Sequence, residues 1–224
     1  EEEGFAMVPG VIRPEQADFL SNVIEQFQKT LPPDQSPYGI RHLLRVPEVR
    51  ELATCSLLRD LAAEILGPLA FPVRGIFFDK TPEANWKVAW HQDVTIMVKE
   101  KQDVEGFSAW SRKEGAWHVQ PPPEILERML TARLHLDDCD ETNGPVKVIP
   151  GSHRLGRLAA EQIAELRNSN PVLCNARKGD VLLMRPLLLH ASSPSKTPRH
   201  RRVIHIEFAA EELPGGLRWR DVAG

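Results

Sequence analysis

The chain has only three cysteines, Cys55, Cys139 and Cys174, and no CxxC pair among them. That odd, widely spaced set argues against a disulfide framework and a structural zinc site, and fits a reducing, cytoplasmic setting. Long apolar runs are missing too. Val181–Met184 and Leu187–Leu189 fall far short of the ~20 residues of a membrane helix, so no membrane role is expected. The acidic opening, Glu1–Gly4, lacks the basic stretch of a secretory signal. Charge of one sign is also scarce, with 28 Lys and Arg against 31 Asp and Glu, a net charge of −3. Binding a nucleic-acid backbone needs a surplus of cations on one face. The densest basic cluster, Arg199–Arg202, is short enough for a solvated loop, so no nucleic-acid partner is expected.

What is present suits a single domain over residues 1–224. Phe5–Ile12 reads as a short strand. Between Glu15 and Leu31 the apolar residues Phe19, Leu20, Val23, Ile24 and Phe27 recur at helical spacing. Leu31–Tyr38, with three prolines, is a loop, and a second helix is expected over Pro47–Leu66, stopped by Gly67. Beyond Gly67 the segments become short and β-branched or aromatic. Expected strands are Val73–Phe78, Ala89–Met97, Ala132–Asp137, Val146–Ile149, Val172–Asn175, Asp180–Met184, Leu187–His190 and Arg202–Phe208, with helical insertions near Pro123–Leu130 and Leu158–Arg167. Helices over about 5–67 followed by strands over about 70–210 give a mainly β protein with flanking helices, a jelly roll braced on one sheet.

The most informative tetrapeptide is Trp90-His91-Gln92-Asp93. In a strand, side chains two apart share a face at a separation of about 6.6 Å, so His91 and Asp93 can converge on one ion while Gln92 points away. His190, after the apolar run Leu187–Leu189, supplies a third ligand. Two histidines and one carboxylate leave open positions on the metal, the pattern of non-haem Fe(II) oxygenases. A rival pair of the same form exists in His135-Leu136-Asp137. Only about five strands follow it, too few to close a barrel before a distal histidine, and Asp137 leads into an acidic turn ending at Asn143-Gly144.

The same triad could hold zinc in a hydrolase, or belong to a non-catalytic metal-binding jelly roll. A cation placed to take the far carboxylate of 2-oxoglutarate separates these readings. Arg201 lies eleven residues after His190, far enough to turn and return on a neighbouring strand. It shares a polar face with Val203, His205 and Glu207, whereas Arg202 shares the apolar face of Ile204, Ile206 and Phe208 and should snorkel at the core's edge.

The segments WHQD at Trp90–Asp93, NGPVKVIPGSHRLG at Asn143–Gly156, KGDVLLMRPLLLHASSPSKT at Lys178–Thr197 and RRVIHIEF at Arg201–Phe208 resemble the phytanoyl-CoA dioxygenase family, which includes ectoine hydroxylase-like enzymes. The resemblance covers roughly residues 5–210. It implies a double-stranded β-helix, the cupin-like jelly roll, that uses Fe(II), 2-oxoglutarate and O2 to hydroxylate an unactivated C–H bond of a small-molecule substrate, releasing succinate and CO2. By position it assigns iron to His91, Asp93 and His190, and the 2-oxoglutarate carboxylate to Arg201 and Ser192. Gln92 falls in the cosubstrate site as the glutamine between the first two ligands. Arg133 stands where many relatives carry tryptophan beside the cosubstrate. It could bind 2-oxoglutarate, bind an acidic substrate, or pair within its strand. The long segment Lys99–Gln120, with Trp110 and Trp117, is expected to form a lid. His153, in its Pro-Gly-Ser-His turn, is expected to be structural, and Trp86 and Trp90 to be wall or core residues.

Overall fold

The computed structural model describes residues 2–32 and 35–222, so Glu1 and two residues of the expected loop, Pro33 and Asp34, lie outside it. In chain order the elements are β1 (Phe5–Val8), α1 (Pro14–Gln28), β2 (Gly39–Ile40), α2 (Pro47–Thr54), α3 (Ser56–Leu66), β3 (Phe71–Asp79), β4 (Val88–His91), β5 (Ile96–Val98), β6 (Ser108–Lys113), β7 (Ala116–Gln120), α4 (Pro123–Glu127) and β8 (Met129–His135). There follow β9 (Val146–Val148), α5 (Ala160–Leu166), β10 (Val172–Cys174), β11 (Val181–Met184), β12 (His190–Ser192) and β13 (Arg202–Ala209).

The strands form a large sheet, β1-β11-β8-β13-β3-β2, a smaller one, β10-β9-β12-β4, and a three-stranded sheet, β5-β7-β6. All pairings are antiparallel. This is the expected jelly roll braced by helices.

Alternation along the large sheet explains how it carries both a core and a cavity. Ile204, Ile206 and Phe208 of β13, with Ala132 and Leu134 of β8, pack outward against Leu20, Ile24, Val49 and Leu58 of the helices. The opposite face of the same strands presents Arg133, His205 and Glu207 to a cavity also lined by His91, His190 and Ser192 from the small sheet. Both faces are covered, so β13 is buried along nearly its whole length.

Three sequence expectations need correction. The single helix over Pro47–Leu66 is broken at Cys55, whose extended backbone (φ −66°, ψ 157°) ends α2 and opens α3. The strand over Ala89–Met97 is two strands in different sheets, with residues 92–95 between them. The residues Leu187–Leu189 are a turn, so His190 opens β12 rather than closing a strand. The continuous apolar run Leu187–Leu189 signals burial without fixing the backbone state, which misled that strand boundary.

The segment Lys99–Gln120 folds into the β6–β7 hairpin, paired with β5, and its Phe107, Trp110 and Trp117 join a separate apolar cluster with Trp219. None of residues 99–120 lines the cavity. The lid expectation is therefore replaced by a buttress whose tip residue Glu114 holds Arg41 at the cavity rim.

His135, 2% exposed on β8, is pushed down to about 3 by burial, with Arg133 and Arg201 adding to it. Burial likewise lowers His118 to about 4, and Arg74 reinforces it. The folded chain excludes protons that the unfolded chain accepts, so this stability is complete above pH ~6.5 and is lost as pH falls towards the folded values. His135 alone should cost roughly 2 kcal/mol at pH 5. Urea unfolding between pH 7 and 4 should show a steeper loss for the natural chain than for His135→Gln; parallel curves would contradict this.

Candidate metal centre

His91 ends β4 and His190 opens β12, and the two are direct partners across these strands. Asp93 does not share their ladder, because β4 ends at His91. Its backbone N–H instead donates to Pro186 O at 2.9 Å, which holds it beside the turn leading into His190. The carboxylate lies 3.7 Å from Nε2 of each histidine, through one oxygen apiece. Donor atoms of the three residues all lie within 4.8 Å of one another, the one such His/Cys/Asp/Glu cluster among the described residues. Convergence of His91 and Asp93 thus arises from a chain turn, not from strand alternation.

The ring nitrogens have assigned tasks. Nδ1 of His91 faces Ala89 O and Nδ1 of His190 faces Leu188 O, each at 2.8 Å. A carbonyl accepts only from N–H, so both Nδ1 atoms carry the proton and both Nε2 lone pairs face the cluster. Burial lowers His190 to about 4, against the pull of Asp93. Burial opposes ionisation of Asp93, but His190, His205, His91 and Arg133 outweigh it and hold the carboxyl at about 2. An anionic carboxylate beside a neutral imidazole suits a divalent cation without prior proton loss.

Gln92 is turned away from the cavity and touches no cosubstrate position. Its amide donates to Gly156 O at 2.8 Å and Leu187 O at 2.7 Å and accepts from Leu158 N–H at 2.8 Å. With its hydrogen bonds spent on backbone, it clamps the ligand segment to the turn before His190. This corrects its placement in the cosubstrate site.

Ser192 and Arg201 both line the cavity and are buried. Arg201 is held by its backbone, whose N–H donates to Asp79 Oδ1 at 3.2 Å, while its guanidinium donates to Gly144 O and leaves Nε without a protein partner. Arg202 points outward, as expected, but ion-pairs with Asp137 and Glu25. This bond occupies Asp137, and His135 lies in no metal-binding group, so the rival pair forms no site. Arg199 and His200 pair with Asp140 and Asp79, so every member of the Arg199–Arg202 run except Arg201 has an acidic partner.

Lys80 escaped the sequence reading. It follows β3, is 1% exposed, and donates to Ser192 Oγ at 2.9 Å and Ser193 O at 2.8 Å. Burial, aided by Arg201, lowers it to about 7. A lysine ending an apolar strand usually snorkels to solvent, and only the tertiary fold reveals this one turned inward. Arg133 also lines the cavity. Its Nη1 lies 2.8 Å from His205 Nδ1 on the paired strand, and its Nε has no protein partner. Trp86 lines the cavity, while Trp90 packs against Ile149, Leu158 and Leu189.

Comparison with known proteins adds to this geometry. The sequence model of the phytanoyl-CoA dioxygenase (PhyH) family matches residues 1–203. Nucleoporin NUP42 of Xenopus laevis is 28% identical over 125 residues, which are 56% of this chain and 20% of that protein; the chain thus spans about a fifth of that relative. Among solved structures, EctD from S. alaskensis with bound Fe superposes with a TM-score of 0.72 at 21% identity, covering 93% of this chain and 73% of that one. HygX from Streptomyces hygroscopicus, with nickel and 2-oxoglutarate bound, gives 0.68 at 17% identity, covering 99% and 94%. At these identities the structural likenesses concern the fold.

Proposed function

The chain belongs to the phytanoyl-CoA dioxygenase family of 2-oxoglutarate-dependent oxygenases, and on that premise we propose that it binds Fe(II) through His91, Asp93 and His190 and hydroxylates a C–H bond of a small molecule. The observation that carries this reading is a convergent His-Asp-His cluster in one cavity with the buried guanidinium of Arg201, while Lys80 donates to the cavity-lining Ser192. When bound, iron, 2-oxoglutarate and O2 supply the oxidising chemistry, in which 2-oxoglutarate becomes succinate and CO2.

The protein's own residues hold and orient. The Nε2 lone pairs of His91 and His190 and the Asp93 carboxylate would hold the ion, a ligand set that leaves positions for the reactants. Arg201 and Ser192 receive the far carboxylate of 2-oxoglutarate, and Lys80 adds a second cation through Ser192. Arg133, on the same cavity wall beside His205, would add positive charge for the cosubstrate. Burial of these cations strengthens their attraction for a dianion and keeps water from competing.

Binding gives the direct test. In oxygen-free calorimetry the iron-loaded chain should take up one equivalent of 2-oxoglutarate with an affinity that collapses once iron is chelated. Equal affinity with and without metal would remove the chelation on which the reading depends.

Gly144 supplies a second check. It has φ +63°, and a Cβ there would lie 2.4 Å from Ser193 O, while its own carbonyl accepts from Arg201. Gly144→Ala should destabilise the fold by about 1–3 kcal/mol and weaken 2-oxoglutarate binding by releasing the anchor. An unchanged melting temperature and affinity would show that the turn does not set the position of Arg201.

A further inference from the structure

The cavity has two chemically different ends on either side of the metal cluster. Two residues after His190, Ser192 reaches Lys80, whose backbone is hydrogen-bonded to that of Arg201. Two residues after Asp93, the Thr95 carbonyl faces Arg74 Nη1 at 3.5 Å. Cross-strand register orders the wall between them. Val203 pairs with Phe78, His205 with Ile76 and Arg133, and Glu207 with Arg74 and Thr131. Six residues separate Arg201 from Glu207, about 20 Å of strand, so one small diacid at the Arg201 end leaves the Arg74–Glu207 end free.

That free end is polar but balanced in charge. Arg74 is 9% exposed and Glu207 6%, and they meet through a single contact, Nη1 to Oε1 at 3.2 Å. Arg41 at the rim is neutralised by Glu114. The uncompensated cations, Arg201, Lys80 and Arg133, all belong to the cosubstrate end or its border.

Hydrogen bonding at the free end is incomplete. Arg74 Nε, on a residue that lines the cavity, is buried with no partner among the described residues. Each such group costs about 1–3 kcal/mol unless something bonds it, and native proteins keep few. A one-point Arg–Glu contact also leaves the second carboxylate oxygen and the remaining guanidinium edge for a ligand. The ladder bulges after Glu207, a feature over-represented beside binding sites.

Size narrows the choice further. The whole cavity is about 250 Å³ and must hold both reactants. It is smaller than the ~300–1,000 Å³ of common ligand pockets, so only a small molecule, or one end of a larger one, fits beside 2-oxoglutarate. Ile76, Phe78, Trp86 and Val88 supply apolar wall for its carbon frame.

We infer that Arg74 and Glu207 are the specificity-determining pair, and that they select a small, net-neutral substrate presenting a hydrogen-bond acceptor beside a donor. A zwitterionic amino acid and a neutral polyol share this chemistry; a lone carboxylate or a lone amine does not. An unbalanced charge at this end would bind one member of the pair and confront the other. The inference rests on the proposed oxygenase function and adds the substrate's chemical class.

The test uses the full chain loaded with Fe(II) and 2-oxoglutarate under air, reading succinate formation above the rate without additions. Probes are L-α-amino acids, free monosaccharides, straight-chain monocarboxylates and primary alkylamines. Neutral probes from the first two sets should stimulate at least about tenfold, and which set responds identifies the source; monocarboxylates and alkylamines should not stimulate. Glu207→Gln leaves Arg74 without its carboxylate and should make monocarboxylates stimulate succinate formation about tenfold or more. Arg74→Gln should do the same for alkylamines. The double variant, which keeps amide hydrogen bonding without a buried charge, should lose the discrimination and guards against misfolding of the single variants. Stimulation only by singly charged or apolar probes, no stimulation by any probe, or an unchanged preference in all three variants would overturn the inference. Failure of the chain to bind 2-oxoglutarate in the presence of iron would strike the proposed function instead.

Discussion

Asp93→Ala is expected to reduce succinate formation to background and to weaken Fe(II) binding by about 100-fold or more, since even partners behind the ligands commonly contribute 10–100-fold. Asp93 is the only anion among the three ligands, and its carboxylate spans the two histidines, 3.7 Å from each Nε2. Its loss leaves two neutral imidazoles to hold a dication. The fold should survive, because the side chain is 30% exposed into the cavity and its backbone bond to Pro186 is retained. Asp137→Ala is the informative contrast. Asp137 occupies the same place in a histidine-x-aspartate sequence, yet it receives two bonds from the Arg202 guanidinium and one from the Arg202 backbone. Removing it leaves the Arg202 guanidinium with Glu25 as its remaining acidic partner and should cost about 1–3 kcal/mol of stability with iron affinity retained. Titrations of iron into both variants, with melting curves, check the pair. An Asp93→Ala protein with native iron affinity would transfer the ligand role elsewhere.

Arg201→Ala carries the second large effect. A charge-assisted bond to a carboxylate contributes about 1.5–3 kcal/mol, and a two-point contact more, so 2-oxoglutarate affinity should fall by roughly 10- to 1,000-fold. Iron affinity should stay near that of the natural chain, because Arg201 is outside the His91–Asp93–His190 cluster. Lys80→Met should show a smaller loss, since Lys80 acts through its bonds to Ser192 and the Ser193 carbonyl. Calorimetry on the iron-loaded variants measures both. If Lys80→Met loses more affinity than Arg201→Ala, the principal anchor is Lys80.

Chemistry-bearing residues were more legible in the sequence than the backbone that carries them. His91, Asp93 and His190 meet as expected, but the reason offered for His91 and Asp93, alternation along one strand, does not apply. A turn and the Pro186 contact bring Asp93 in, and no periodicity encodes such a contact. Arg201 was separable from Arg202 because β13 does alternate, one face packing on helices and the other facing the cavity. Glu207 was legible on the same ground, but Lys80 and Arg74 were not. Each lies on or beside β3, and only the packing of β3 beside β13 shows that these side chains turn inward. The Lys99–Gln120 segment looked like a lid because it is long and carries Trp110 and Trp117. Its tryptophans instead serve a second core with Trp219.

The most direct test of the central claim is succinate formation from 2-oxoglutarate by the iron-loaded chain, measured by mass spectrometry under air and under argon. The account requires succinate under air, none under argon, and none when zinc replaces iron. Succinate that forms equally without oxygen, or its absence from an iron-loaded chain that binds 2-oxoglutarate under air, would contradict it.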